Sequence, residues 1–415
     1  MEEGKLSVEE VLRRTGEVLR AGPLCDDCLG RAFALLGRGF SNRERGRALR
    51  TLAGMLGTSG KPGPCWLCGG LFKAISTFVE RAAERVEGIE FDSYLFGVRL
   101  TPRLAEMEAF FDQTFPTGLS EPLRHAFNRE AGKAFEARVG HGTVDLTHPH
   151  VAFTIDLASG EIELSVLSLY VYGRYRKLAR GIPQTHWPCR LCGGRGCSLC
   201  HETGKQYPES VEELVALPFL RVAGAVEAHL HGAGREDIDA RMLGDGRPFV
   251  LEVVAPRCRT LDLARLEAEV NETADGKVAV SRLREVPREA VGEIKETEAE
   301  KTYRARVAFG KEVSRQALTD ALSRLQGPID QRTPRRVAHR RADLVRGRRV
   351  LAASGELVSP SKAEITLRTE GGLYIKELVS GDEGRTVPSL TSLLGVPAQV
   401  VELDVLEVAS PHFPA

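Results

Sequence analysis

Val8, Val11, Leu12, Val18 and Leu19 fall on one stripe, which predicts a helix over Leu6–Ala21, because apolar residues three and four apart share a helical face. Ser7 and Glu10 fit a capping box, Leu6 is placed to staple onto Val11, and Gly22-Pro23 ends the run. Further helices are expected over Asn42–Leu56, Leu71–Val86 and Leu119–Arg138. Phe91–Leu100, Val151–Leu157 and Glu161–Tyr172 read as strands, the last on clean alternation. The later part of the chain continues in the same mixed style. Ser210 opens a short helix, Leu261–Val270 is helical, and Lys277–Val286 is a strand or loop arm. Lys301–Phe309 alternates as a strand, with Tyr303, Ala305, Val307 and Phe309 on one face. Glu364–Glu370 is a strand, Pro388–Leu394 a short helix and Gln399–Val408 a last strand. Such mixing indicates an α+β protein.

The stretch His231–Pro256 stands out. Two strand-like runs, Asp237–Leu243 and Pro248–Ala255, flank Gly244-Asp245-Gly246-Arg247, and Asp-Gly between β-prone runs predicts a hairpin. On a strand Asp237 and Asp239 would face one side. Arg235 and Arg241 are near enough in sequence to pair with either.

The 415 residues are enough for two or three domains. A boundary is expected near residue 205, dividing the chain into 1–204 and 205–415. The start Met1-Glu2-Glu3-Gly4 lacks a basic-then-apolar leader, and no apolar run reaches the roughly 18 residues of a membrane span. A soluble, cytoplasmic, monomeric protein without a membrane partner is expected. Nine cysteines form four C-x-x-C pairs plus Cys258. Cys25, Cys28, Cys65 and Cys68 offer four thiolates to one tetrahedral zinc, with redox pairs or buried thiols as the plainer alternative. Cys189, Cys192, Cys197 and Cys200 crowd into twelve positions among glycines, the most specific metal signal in the chain. Four thiolates leave no open position, so a structural ion is expected, here as a clasp between domains.

Net charge is zero, yet the charge is unevenly spread. Tyr170–Lys177 interleaves tyrosines with Arg174, Arg176 and Lys177, and Arg180 extends the run. Gln331–Val350 holds eight arginines, among them Arg335, Arg336, Arg340 and Arg341, against the single acid Asp343. Such density would repel itself without an anion, which predicts an RNA-backbone site.

Gly234-Arg235-Glu236-Asp237 resembles the Gly-Arg-x-Asp motif of pseudouridine synthases. The run through Gly246-Arg247-Pro248-Phe249, with Tyr172–Gln184, is similar to the archaeal-type tRNA pseudouridine synthases of the Pus-ten family, and the likeness turns Arg174, Arg176 and Lys177, otherwise the solvated face of a strand with inward tyrosines, into an RNA contact. The resemblance implies a zinc-bound, THUMP-like RNA-binding domain followed by a catalytic domain with a mixed, largely antiparallel central sheet. It implies isomerisation of uridines 54 and 55 in the tRNA T loop, with tRNA as partner and no organic cofactor. By the same resemblance Asp237 is the catalytic nucleophile. Tyr303 stacks on the base and accepts its C5 proton, Tyr374 binds substrate, and Lys376 lies in the active-site neighbourhood. A cation should pair with Asp237; Arg385 is the first candidate, ahead of Arg235 and Arg241. The other reading is a non-catalytic zinc-dependent tRNA-binding protein.

Overall fold

The computed structural model describes residues 7–296, 298–339 and 342–409. Two compact units divide between Leu167 and Ser168.

In the first unit Ser7 accepts a bond from the Glu10 N–H and opens α1 (Val8–Ala21). There follow α2 (Asp26–Ala32), α3 (Asn42–Met55), α4 (Ile75–Arg85), β1 (Ser93–Arg99), α5 (Pro102–Thr114), α6 (Leu123–Val139), β2 (Thr143–Val144), β3 (Val151–Asp156) and β4 (Ile162–Val166). The four strands form a sheet in the order β2-β1-β3-β4. Alternate residues of β1 and β3 are buried. The Phe96 and Phe153 rings stack at 4.7 Å, and Phe135 from α6 meets both edge-on at 5.2 and 5.1 Å.

The second unit begins with β5 (Leu169–Lys177). It continues with α7 (Val211–Ala223), β6 (Glu227–Gly232), β7 (Arg241–Val254), α8 (Leu263–Thr273), β8 (Val278–Glu285), α9 (Ala290–Glu296), β9 (Lys301–Phe309), α10 (Arg315–Leu325), β10 (Gly327–Arg332), β11 (Val345–Ser359), β12 (Lys362–Thr369), α11 (Ile375–Ser380), β13 (Thr386–Val387), α12 (Leu390–Leu394) and β14 (Ala398–Val408). The sheet runs β13-β10-β11-β12-β9-β14-β7-β5-β8, with β6 added on β7. Its pairings are antiparallel except for β7 with β14.

Three expectations are corrected here. Glu161–Tyr172 is two strands, not one: β4 completes the first sheet and β5 enters the second. The boundary near 205 therefore moves to 167/168, because β5 is hydrogen-bonded between β7 and β8 of the second unit. Pairing partners decide this, and periodicity does not report them. The hairpin is also misplaced. Gly244–Arg247 is no turn but an irregular stretch inside β7, whose hairpin partner is β6. Against β5, Lys177 faces Met242 and Tyr175 faces Arg247, so extra residues of β7 are accommodated there. Gly244 and Gly246 both have positive φ. A Cβ on Gly244 would lie 2.0 Å from the Leu406 carbonyl oxygen, and one on Gly246 2.6 Å from that of Tyr175. The glycines permit this close approach of backbones.

Candidate active site

Moving the hairpin puts Asp237 on the loop between β6 and β7, not on a strand. Cations hold that loop and the strand that follows it. Lys177 is fully buried and donates to the carbonyls of Ile182, Asp237 and Ile238 at 2.8, 3.0 and 3.2 Å. Arg180 donates to the Asp239 carbonyl at 2.8 Å. Arg174, 2% exposed, donates to the carbonyls of Asp245, Gly246 and Val408. Arg174 and Lys177 are thus turned inward, whereas the basic run reads in sequence as an RNA contact: they satisfy backbone acceptors. Arg176 is exposed.

A second buried group sits beside Asp237. Glu236 accepts from Arg247 Nε at 2.8 Å and from the Tyr175 hydroxyl at 2.9 Å, with Lys177 Nζ 3.8 Å away. Gln184 Nε2 donates to the Tyr175 hydroxyl at 2.7 Å. Arg247 also donates to the Ala233 carbonyl at 2.7 Å. Charges buried this deeply persist when paired and hydrogen-bonded, and the pairing fixes the residue before Asp237.

Asp237 itself is one-third exposed at a cleft of about 670 Å³. Its carboxylate pairs with Arg336 at 3.1 Å and Lys376 at 3.2 Å. Arg336 is held in turn by Glu377 at 2.6 Å and lies over the Tyr374 ring at 5.6 Å. Lys376 also binds Asp239 at 2.8 Å. Tyr303 and Tyr374 line the same cleft, with Arg235, Lys301, Leu373 and Leu403. Burial pushes the Tyr303 phenol up to about 12; Arg247 opposes this, and Asp237 and Glu236 add to it.

The cation opposite Asp237 is therefore Arg336 with Lys376, not Arg385. Arg385 donates to the Thr333 carbonyl at 2.7 Å and pairs with Asp343 at 2.5 Å. Arg241 goes to Asp404 at 2.8 Å. The arginine-rich run also finds acids remote in sequence. Arg335 meets Glu383 at 2.5 Å, Arg336 meets Glu377, and Arg348 meets Glu298 at 2.9 Å. Arg335 stays largely exposed; Arg340 and Arg341 lie outside the described residues. The Glu236–Arg247 pair, Glu377 and Lys301 were not foreseen as site residues. The positions of Glu236 and Arg247 inside the two quoted motifs were the only signal.

The cysteines converge as two sets of four. Within each, all Sγ atoms lie within 4.8 Å of one another. Cys25 and Cys68 are 3.7 Å apart, as are Cys197 and Cys200; Cys189–Cys197 and Cys192–Cys200 are 3.9 Å apart. A zinc–sulfur bond of about 2.3 Å gives a tetrahedral edge of about 3.8 Å, whereas a disulfide needs about 2.05 Å. Both sets fit a tetrahedral ion. The Cys28 N–H donates to Cys25 Sγ, and the N–H groups of Cys197 and Gly204 donate to Cys200 Sγ, bonds that favour thiolates. The first set lies in the first unit. The second lies between β5 and α7, wholly inside the second unit, so it is not a clasp placed at the boundary.

The profile "Pus10, C-terminal" matches residues 170–409, and "Pus10 THUMP domain, archaeal" matches residues 78–156. Fold, cleft and these matches define a pseudouridine synthase, an isomerase with an accessory THUMP domain. A protein named "tRNA pseudouridine synthase Pus10" from Methanothrix thermoacetophila is 46% identical over 94% of this chain and 93% of its own length. One of the same name from Halorubrum lacusprofundi is 47% identical over 96% of each chain. The chain belongs to the Pus10 family. A solved structure, "Crystal Structure of a Cbf5-Nop10-Gar1 Complex", aligns with 57% of this chain and 48% of that one at 16% identity and a TM-score of 0.32, a likeness too loose to carry weight.

Proposed function

We propose that the protein isomerises uridines 54 and 55 of the tRNA T loop to pseudouridine, with Asp237 as nucleophile. The observation that carries this is the Asp237 carboxylate: it is ion-paired with Arg336 and Lys376 and borders a cleft that Tyr303 and Tyr374 also line. The two cations hold the carboxylate in place at the cleft, as a nucleophile needs.

In this reading a T-loop uridine is flipped into the cleft at a cost of a few kcal/mol and rests against Tyr303. An Asp237 oxygen bonds to C1′ as the C1′–N1 bond breaks, and the bonding pair leaves on the base. The base turns, C5 bonds to C1′ and frees the carboxylate. C5 loses its proton and N1 gains one, so the product is an isomer. Arg176 and Arg335, both exposed, are proposed to contact RNA phosphates. Each cysteine set is proposed to hold a structural zinc, which supplies local rigidity and no reacting group.

The test is Asp237→Asn incubated with unmodified tRNA, with pseudouridines mapped by mass labelling. Formation at both positions should fall by about 10³-fold or more, with tRNA binding retained. Persistent pseudouridine would remove Asp237 from this role. Product at other tRNA positions would overturn the assignment of uridines 54 and 55.

A further inference from the structure

Lys301 is the first residue of β9, two before Tyr303, so both side chains leave the same face of the strand. It lines the cleft with Asp237 and Tyr303. Its neighbourhood is poor in acceptors. Glu236, the nearby acid, is already engaged by Arg247, Tyr175 and Lys177. Among the described residues the Lys301 amine has no hydrogen-bond or ion-pair partner. A Cβ placed on Gly234 would come within 3.3 Å of Lys301 Nζ and 3.5 Å of Arg247 Nη1, so the loop carrying Asp237 has a glycine where the amine approaches. A half-buried ammonium beside an arginine, without a counter-ion, is a costly arrangement. Burial lowers it to about 8, with Arg247 adding to the effect and Glu236 opposing it.

Asp237 already has two cations of its own, so Lys301 is not needed to hold it. Its amine is instead placed to donate to the base. When C1′–N1 breaks, the pair that stays on uracil spreads over N1 and the two carbonyl oxygens. We infer that Lys301 is a catalytic residue that donates to a carbonyl oxygen of the departing uracil anion while the base rests against Tyr303. The inference rests on the proposed reaction. Lys301 gives up no proton and forms no bond in it; its charge is met only while the glycosidic bond is open. Preorganised charge of this kind acts on the transition state more than on binding.

The test compares Lys301→Met and Lys301→Arg with wild type and Asp237→Asn, under single turnover with unmodified tRNA. Lys301→Met should slow the bound-state rate by about 10²–10³-fold, the usual cost of one anion-stabilising donor, and leave the tRNA Kd within about threefold. Lys301→Arg should recover part of the rate. Because Met relieves an uncompensated buried charge, its Tm should match or exceed wild type, an outcome a structural lysine would not give. A Lys301→Met rate within about threefold of wild type overturns the inference, as does a loss of tRNA affinity at unchanged bound rate, which would mark a phosphate contact. An active Asp237→Asn would instead overturn the reaction on which the inference rests.

Discussion

Asp404 shows how much one carboxylate can organise. It is 4% exposed on β14 and takes bonds from Arg180, Arg241 and Arg304 at 2.7, 2.8 and 3.0 Å. Burial raises its carboxyl, but the arginines outweigh burial and lower it from 3.8 to about 2. A carboxyl depressed in the folded chain adds stability that is complete above its unfolded value and drains away as pH falls through the folded one. Asp404→Asn should therefore lose about 1–2 kcal/mol at pH 7, after allowance for screening of the partly exposed arginines. The deficit should shrink towards zero between pH 4 and 2. Denaturant titrations across that range measure it; a deficit independent of pH would assign the loss to packing. The ion pairs of Asp237 could not be drawn from the sequence for a related reason. Arg336 and Lys376 lie about a hundred residues and more from it, and charge attraction acts through space, not along the chain.

At the scale of elements, β5 carries the main reversal. A strand of tyrosines and cations between two neighbours has little surface for RNA, and its buried cations Arg174 and Lys177 turn to carbonyls while Arg176 stays exposed. Arg174→Met should leave the acceptors on Asp245, Gly246 and Val408 without their donor and cost about 3 kcal/mol. The slope of log Kd for tRNA against log salt should not change, since no phosphate contact is lost; a slope reduced by one would reinstate Arg174 as an RNA contact. The irregular stretch of β7 is equally demanding. Gly244→Val puts a β-branched residue at φ +55° and its Cβ on the Leu406 carbonyl. A loss of about 3 kcal/mol or more is expected, read by thermal melting. Most elements were legible: β9 has the span alternation predicted, and α1 starts at the predicted cap. Those signals are local. The misread turn and the fused strand failed because both depend on which strand lies alongside.

For the whole molecule, the two cysteine sets make a prediction that does not involve the chemistry. Purified protein should carry two zinc ions per chain by elemental analysis. Cys28→Ser should leave about one, and so should Cys192→Ser, because the sets sit in separate units. A chain with no bound metal that keeps its full Tm would reject a structural role. Among the described residues no helix is long and apolar enough to cross a membrane.

The chain by itself determined its α+β character, the capped helices, the two zinc-type cysteine sets and the motif around Asp237. The elements are written in neighbouring residues through periodicity and capping, the cysteine sets in paired ligand spacing, and the Asp237 motif in its resemblance to a family. Only the tertiary structure decided where the units part, which cations face Asp237, why Arg174 and Lys177 are buried, and that Lys301 stands unpartnered in the cleft among the described residues. These depend on distances between residues far apart along the chain. Burial sets the energetic weight of a charge, and burial is a property of the fold.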